Sequence, residues 1–551
     1  MKVVFLSGIS YNTINCKKEP FMYPEQFFHV IRQKIKKEWS LAFCTAFCIG
    51  LLIHLYRLTN HLLTWDSVYN FYDSQNVIHL GRCFLTLSCG IGSYYDLQWV
   101  NGLLSLVYLS LTAVCLTELF SLQKRTSIVL LAGIIVSFPS VASTFAYMYT
   151  ADGYFLAQLT AALAVLLTLN YKKGFLAGIV LLAFSYGSYQ AYISFAVMLI
   201  LTWSIMQLIR ETLSAKELLS RYWLRFLCMG GGGTALYLVC NKILTALEGV
   251  SVSDYNGIAT MSLPDGTKLI SAVKNCIVDF VYFFFGPLDR MNFYKLLNAA
   301  LFVLLAILFL WVVRRQKLLR RPGSLLMILF CLAAMPFVCS MIYFLSPQVR
   351  YYMLMYAGFS LIYMLPVLLC DASAPCKAAL PDENAAEWNS ASAQKSVGDR
   401  LLTSLPLSWC CVILTALTVF NFALIDNISY LYMTTSNEKT FQLVSRMTDR
   451  IEQLDDFKSA KKLCVIGHFE DYDTISFNLP PAMAGIRDSY IISEQAHFSA
   501  MMDTYFGLTL ESCSDEEKKE IRASELFSEM DCWPAAGSVR QYNDTVVIRI
   551  E

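Results

Sequence analysis

The chain has 551 residues, of which 56% are hydrophobic and only 15% charged, with a mean hydropathy of +0.49. Soluble domains carry about 25% charged residues, so a water-soluble multidomain protein is excluded, as are disordered, collagen-like and disulfide-scaffold chains. The net charge of +1 gives no polyanion signal, and no nucleic acid partner is expected.

A bilayer core takes about 20 mostly apolar residues per helix. Eleven stretches qualify: roughly 40–57, 99–120, 126–147, 153–170, 174–188, 190–209, 223–244, 293–313, 324–345, 351–370 and 405–426. The fifth is short, and Ser185-Tyr186-Gly187-Ser188-Tyr189-Gln190 separates it from the sixth, so the two could form one broken helix. Most of the 18 cysteines lie inside such runs, where a free thiol acts as a small hydrophobe.

Basic residues mark alternate loops. Arg32, Lys34, Lys36 and Lys37 precede the first span, and Lys124 and Arg125 follow the second. Lys172 and Lys173 follow the fourth, Arg210 to Arg225 the sixth, and Arg314 to Arg321 the eighth. Lys and Arg are retained in the cytoplasm, which predicts the N-terminus inside and the C-terminus outside a multi-pass cell membrane protein. Residues 1–39 are then a cytoplasmic segment, without an apolar stretch long enough for a cleaved signal peptide. Residues 40–426 form the membrane domain, with long outer loops at 58–98 and 245–292. Residues 371–404, rich in Ala, Ser and Pro, read as a flexible linker on the inner side.

In 58–98, Trp65, Asp66, Tyr69, Tyr72, Asp73 and Arg82 follow one another closely. If 66–79 is helical, Asp66 and Asp73 lie two turns apart on one face, and Arg82 can pair with one carboxylate. The plainer alternative makes Asp66 a helix N-cap and leaves Asp73 facing water. In 245–292, Ile270, Val273, Ile277, Phe280, Val281 and Phe284 recur at helical spacing. That pattern suits a helix in the membrane interface, or one packed on the bundle, and the two are compatible.

Gly230-Gly231-Gly232-Gly233 lacks the Lys-Ser/Thr ending and the preceding strand of a phosphate loop, so close helix packing or local bending is expected. The six histidines show no paired metal spacing. Arg350 lies on a short outer loop, where a guanidinium can grip a phosphate bidentately or snorkel beside aromatic rings. Asp152 and Tyr189-Gln190 lie on other short outer loops, as substrate contacts or as a helix cap and a belt tyrosine. In 427–551, charged amphipathic stretches (441–457 and 515–530) alternate with the β-like runs 463–467 and 545–550. A small extracytoplasmic α/β domain is expected, with its last strand inside a sheet. Cys464, Cys513 and Cys532 show no metal-ligand spacing there.

The loop from Trp65-Asp66 to Gly81-Arg82 resembles the bacterial polytopic glucosyltransferases of the serotype-converting type, the glucosyl transferase II family. So do Tyr186-Gly187-Ser188-Tyr189-Gln190-Ala191-Tyr192 and the chain end, Met530-Asp531-Cys532-Trp533-Pro534-Ala535-Ala536-Gly537-Ser538-Val539 with Asp544-Thr545-Val546-Val547-Ile548. The resemblance implies a polytopic GT-C-like membrane fold of about eleven helices. It implies transfer of a hexose, glucose by default, from a polyprenyl-phosphate carrier to a surface glycan outside the membrane, with inversion. The catalytic carboxylate then falls on Asp66 or Asp73; the family often has adjacent acidic residues here, whereas these two are separated. Arg82 and Arg350 would bind the donor phosphate, and Tyr69, Asp152, Tyr189 and Gln190 would line the substrates. Donor lipid, acceptor glycan and membrane lipids are the expected partners. No cofactor and no metal ligand set is expected, with room left for a divalent cation. A glycolipid flippase or exporter, and a surface glycan polymerase, are the competing readings.

Overall fold

The computed structural model describes residues 23–253, 266–286, 292–372, 390–455, 457–469, 479–480, 482–486, 489–492 and 494–550. Among the described residues, ten helices are long and apolar enough to cross a membrane, which makes the chain a multi-pass membrane protein. In chain order the helices are α1 (Lys37–Thr59), α2 (Gln98–Leu119), α3 (Arg125–Ala146), α4 (Met148–Asn170), α5 (Gly174–Ser188), α6 (Tyr192–Ile209) and α7 (Leu224–Glu248). There follow α8 (Gly266–Phe285), α9 (Phe293–Arg315), α10 (Pro322–Cys339), α11 (Met353–Ala372, its first turns 3₁₀) and α12 (Ser390–Glu452). The fifth expected span is α5, a helix of 15 residues and shorter than the ten. It is separate from α6: the chain leaves the helix at Tyr189, in extended conformation, and re-enters at Tyr192.

The basic loops gather at one end of the bundle. Lys36 pairs with Glu118 at 2.7 Å, joining α1 to α2. Arg210, just past α6, pairs with Asp371 of α11 at 3.0 Å and donates to the Phe120 carbonyl beyond α2. Arg321 pairs with Glu211 at 2.8 Å. The opposite end carries the segment between α1 and α2 and the C-terminal domain; it is called the site end below.

Small residues let the helices close up. A Cβ on Gly102 of α2 would come within 2.4 Å of Leu58, and one on Gly50 of α1 within 2.8 Å of Leu106. The two helices thus exchange a leucine for a glycine in each direction. The four-glycine run leaves α7 unbroken: Gly232 and Gly233 admit Ile179 and Leu182 of α5, while Gly230 and Gly231 face open space. Helix α8 is apolar on two sides. Ala272, Cys276, Phe283 and Phe284 are buried, whereas Ile270, Ile277, Val278 and Val281 are exposed. It therefore packs on the bundle chiefly through residues beside the predicted stripe, of which Phe284 is buried while Ile270, Ile277 and Val281 stay exposed as an apolar outer face.

Helix α12 is 63 residues long, or about 95 Å at the usual rise. It continues unbroken through position 427, where the domain boundary was expected. It also covers 390–404, which composition had suggested as linker; residues 373–389 lie outside the described residues. Phe422, Ile425, Tyr430 and Met433 belong to the bundle core. Farther along, Val444, Met447 and Ile451 enter a second core with the C-terminal sheet. The strands are β1 (Lys462–Ile466), β2 (Glu511–Ser512), β3 (Val539–Tyr542) and β4 (Thr545–Arg549), in the order β2-β1-β4-β3. β4 is parallel to β1 and antiparallel to β3, so the last strand is interior to the sheet. Side chains alternate across it: Leu463, Val465, Val546 and Ile548 face α12 and α13 (Gln495–Phe506). Cys464, Ile466 and Val547 face α14 (Asp515–Ala523) and α15 (Glu525–Glu529).

One amide joins the parts. The Asn437 side chain of α12 accepts from the Leu63 N–H at 2.8 Å and donates to the Leu63 carbonyl at 2.9 Å, all within the interior. Asn437→Leu leaves both backbone groups buried and unpaired, at about 1–3 kcal/mol each. Its unfolding midpoint in detergent is expected to fall by several degrees, and an unchanged midpoint would show the pair to be dispensable.

Candidate functional site

The segment between α1 and α2 must satisfy its own backbone, because it forms no long helix. Residues 66–79 are not the two-turn helix that the spacing of Asp66 and Asp73 suggested. A single 3₁₀ turn, Asp66–Tyr69, is followed by extended chain and a second turn, Ile78–Leu80. Side chains compete for the backbone here and stop the helix. Ser67 Oγ accepts from the Thr64 N–H at 3.1 Å, and Asp73 Oδ1 accepts from the Gln75 N–H at 2.7 Å. Gln75 in turn donates to Asn70 Oδ1 at 2.9 Å. The chain then folds back, with a bridge between Tyr72 and Tyr95.

Farther along, the segment docks on the break between α5 and α6. The Phe84 N–H donates to the Gly187 carbonyl at 2.7 Å, and Ser88 bonds Ser188 at 2.9 Å. Gly81 has φ +72°, and a Cβ there would meet Gln190 Nε2 at 2.7 Å and the Tyr237 hydroxyl at 2.8 Å. Only glycine fits both constraints. Gln190 Nε2 donates to the Leu80 carbonyl at 3.0 Å, and the Tyr237 hydroxyl to the Gly81 carbonyl at 3.0 Å. This grip presents the next residue, Arg82. Its Nη1 donates to the Tyr154 hydroxyl at 2.8 Å, and its guanidinium lies over the rings of Tyr154 and Tyr189. Those rings stack 4.2 Å apart.

These elements enclose a cavity of about 920 Å³ at the site end. Asp66, Asp73, Arg82, Tyr189, Gln190 and Arg350 all line it. The local structure differs from the helix that the spacing suggested: two 3₁₀ turns and the extended chain between them, not a helix face, place both carboxylates on one cavity wall. Asp66 is the first residue of its turn and not its N-cap, which is Trp65. Asp66 is exposed at the cavity, yet partial desolvation by the surrounding protein raises its pKa above the ordinary 3.8. The charges of His497 and Arg82 and a hydrogen bond from Trp65 oppose that shift. Such a carboxylate holds a proton more readily than one in water while staying within reach of a ligand. Arg350 is exposed, with its guanidinium 5.4 Å from the centre of the Tyr352 ring.

Two expected contacts lie elsewhere. Asp152 is on no loop: it is inside α4, fully buried, behind the cavity wall. Its Oδ1 receives a long 3.4 Å bond from Asn101, and a Cβ on Gly92 would stand 2.5 Å from its Oδ2. Helix α4 simply begins before the apolar run does, which carries Asp152 inward. Tyr69 is absent from the cavity wall and stands beside His497 of α13. Among the described residues, no three His, Cys, Asp or Glu side chains converge as metal ligands.

Sequence reasoning missed Tyr154, which anchors Arg82 from a position that reads as ordinary helix. It also missed that the C-terminal domain reaches into the site. Ala482, Met483, Ala484 and Gly485 line the cavity, and the Ala482 carbonyl accepts from the Met353 N–H at 2.8 Å. Gly485, at φ +74°, lies against Thr64 and Tyr147. An apolar Pro480-Pro481-Ala482-Met483-Ala484-Gly485 run inside a charged domain was the available signal.

No curated protein and no solved structure matches the chain. A family match does exist, and it covers the segment bearing Asp66 and Arg82, the α5–α6 break and the Arg350 loop. Residues 55–376, more than half of the chain, match the glucosyl transferase GtrII family, and the protein belongs to that family.

Proposed function

We propose that this chain moves a hexose, glucose by default, from a polyprenyl-phosphate carrier to a surface glycan, on the extracytoplasmic side of the cell membrane and with inversion. The orientation rests on the basic residues at the end opposite the cavity, since Lys and Arg are retained inside. It puts the N-terminus in the cytoplasm and the α/β domain outside.

The observation that carries the reading is a pair of cavities that share two wall segments. Below the polar cavity lies an apolar one of about 400 Å³, between α6, α9, α10 and α11. The same two segments wall both: Pro336 of α10 lines the lower one and Ile342 the upper, while on α11 Met355 lines the upper and Ile362 the lower. A ligand with a charged head and an isoprenoid tail suits this arrangement, and a soluble sugar nucleotide does not need it.

In the proposed reaction the acceptor oxygen bonds to the anomeric carbon as the bond from that carbon to the phosphate oxygen breaks. The hydroxyl proton passes to Asp66, and the electron pair leaves with polyprenyl phosphate. A hydroxyl is a poor nucleophile at neutral pH, so a carboxylate within reach lowers the barrier as the new bond forms. Arg82 and Arg350 stabilise the charge that grows on the leaving phosphate. Asp73, which already holds the Gln75 N–H, is the second candidate for the base. Its contribution is separable by mutation.

Four outcomes test this. Transfer should rise with pH through a group titrating above the usual 3.8 of an aspartate, because the base works only when deprotonated. Asp66→Asn should slow transfer by about 10²–10⁴-fold; full transfer in both Asp66→Asn and Asp73→Asn would remove the base assignment. Arg350→Ala should raise the donor KM about tenfold or more, as loss of a charge-assisted contact predicts, and an unchanged KM would take Arg350 out of the phosphate site. Ala306→Trp, which fills the apolar cavity, should raise the KM of a long polyprenyl donor several-fold and leave a short-chain analogue little affected. Equal effects on both donors would remove the tail from that cavity.

A further inference from the structure

The 3₁₀ turn Asp66–Tyr69 stands at the edge of the cavity. Its first residue, Asp66, lines the cavity; its last, Tyr69, does not, and its ring is 47% exposed. The ring lies 5.5 Å from that of His497, tilted by 45°. His497 comes from α13 of the C-terminal domain and is held firmly. Its Nδ1 accepts from the Glu494 N–H at 3.1 Å, and its own N–H donates to the Glu494 carbonyl at 3.0 Å. With Nδ1 accepting, the neutral ring carries its proton on Nε2. Burial, then the charges of Glu494 and Asp66, raise the pKa of the Tyr69 phenol. It therefore stays protonated, with a carboxylate from each of two elements close by.

We propose that this rim is the acceptor subsite. A sugar ring of the acceptor glycan lies on Tyr69, its hydroxyls bond to Glu494, and one hydroxyl reaches Asp66 at the other end of the turn. The inference rests on the transfer reading above and names where its second substrate binds. Inversion requires the attacking oxygen to approach the face of the sugar opposite the leaving group. The arginines that suit the phosphate lie inside the cavity, so an acceptor arriving past Asp66 from outside meets that requirement. The chemistry of the rim fits a saccharide: an exposed aromatic face takes the C–H face of a pyranose, and carboxylates accept from its hydroxyls. A lipid head group fits poorly, because its phosphate would face Glu494 and Asp66. The α/β domain then has a task beyond bracing: it supplies Glu494 and His497 to the acceptor and Ala482–Gly485 to the donor cavity.

The test uses the full chain in lipid nanodiscs. The probe is the oligosaccharide mixture released by mild acid from the envelope of source cells lacking this protein. Saturation-transfer NMR without donor reads binding, and steady-state transfer reads the two KM values. Wild type and Tyr69→Phe, which keeps the ring, should bind the mixture. Tyr69→Ala should bind about tenfold more weakly, and Glu494→Gln several-fold more weakly. The acceptor KM should rise in step while the donor KM moves less than threefold. No saccharide binding by wild type, or wild-type binding by both Tyr69→Ala and Glu494→Gln, overturns the subsite. So does a loss of co-purifying anionic lipid in Tyr69→Ala with saccharide binding unchanged. Saccharide binding that follows this pattern without any hexose transfer supports the subsite and overturns the transfer reading alone.

Discussion

The site depends on the double hydrogen bond between the Asn437 amide and the two backbone groups of Leu63. Leu63 comes three residues before Asp66, in a segment with few repeating hydrogen bonds of its own. Asn437 lies on the one helix that belongs both to the bundle core and to the core of the α/β domain. A buried amide that pairs with an N–H and a carbonyl at once leaves little freedom in register, since a slip would strand both groups. The pair therefore sets the height of the Asp66 turn against α12. Through α12 it also sets the position of the domain that brings His497 beside that turn.

The second constraint is on water. Asp66 has to lose enough hydration for its proton affinity to rise, yet stay reachable. A carboxylate buried like Asp152 could meet no substrate, and one on a fully solvated loop would titrate near 3.8. The cavity resolves this by mixing sources: a 3₁₀ turn, a broken pair of helices, the Arg350 loop and a domain loop each supply part of the wall. Arg82 is held on the cavity wall by a tyrosine hydroxyl and two stacked rings. Polar groups crowd the site end, and the apolar cavity beneath them continues along the same two walls. The proposed lipid-phosphate donor rests on the pairing of the two cavities more than on any single residue.

Much of the organisation was legible in the sequence because it follows from solvent. A run such as 293–313 has to be a helix in a bilayer, and it is α9. The runs at 463–467 and 545–550 are strands because β-branched residues alternate between two cores, and they pair side by side. Asp66, Asp73, Arg82, Tyr189, Gln190 and Arg350 were found as ionisable or amide groups next to apolar runs, where such groups are costly without a use. Asp152 met the same criterion and was misplaced, because an apolar run shows where a helix is buried and not where its first turn begins. Tyr69 was placed beside Asp66 along the chain, but whether it lines the cavity is a property of the fold. Tyr154, Asn437, His497 and the 482–485 loop gave weaker signals, since their partners lie far away in the chain.

The sequence by itself therefore determined that the chain is a sided, multi-pass membrane protein with an α/β domain at its end, because burial and charge are read residue by residue against lipid and water. Only the tertiary structure decided that the domain is part of the site. It also decided that a 3₁₀ turn rather than a helix carries the carboxylate, and that one pair of segments walls both a polar and an apolar cavity. Those features arise where residues distant along the chain compete for the same backbone groups and the same space, and no local pattern encodes which of them wins.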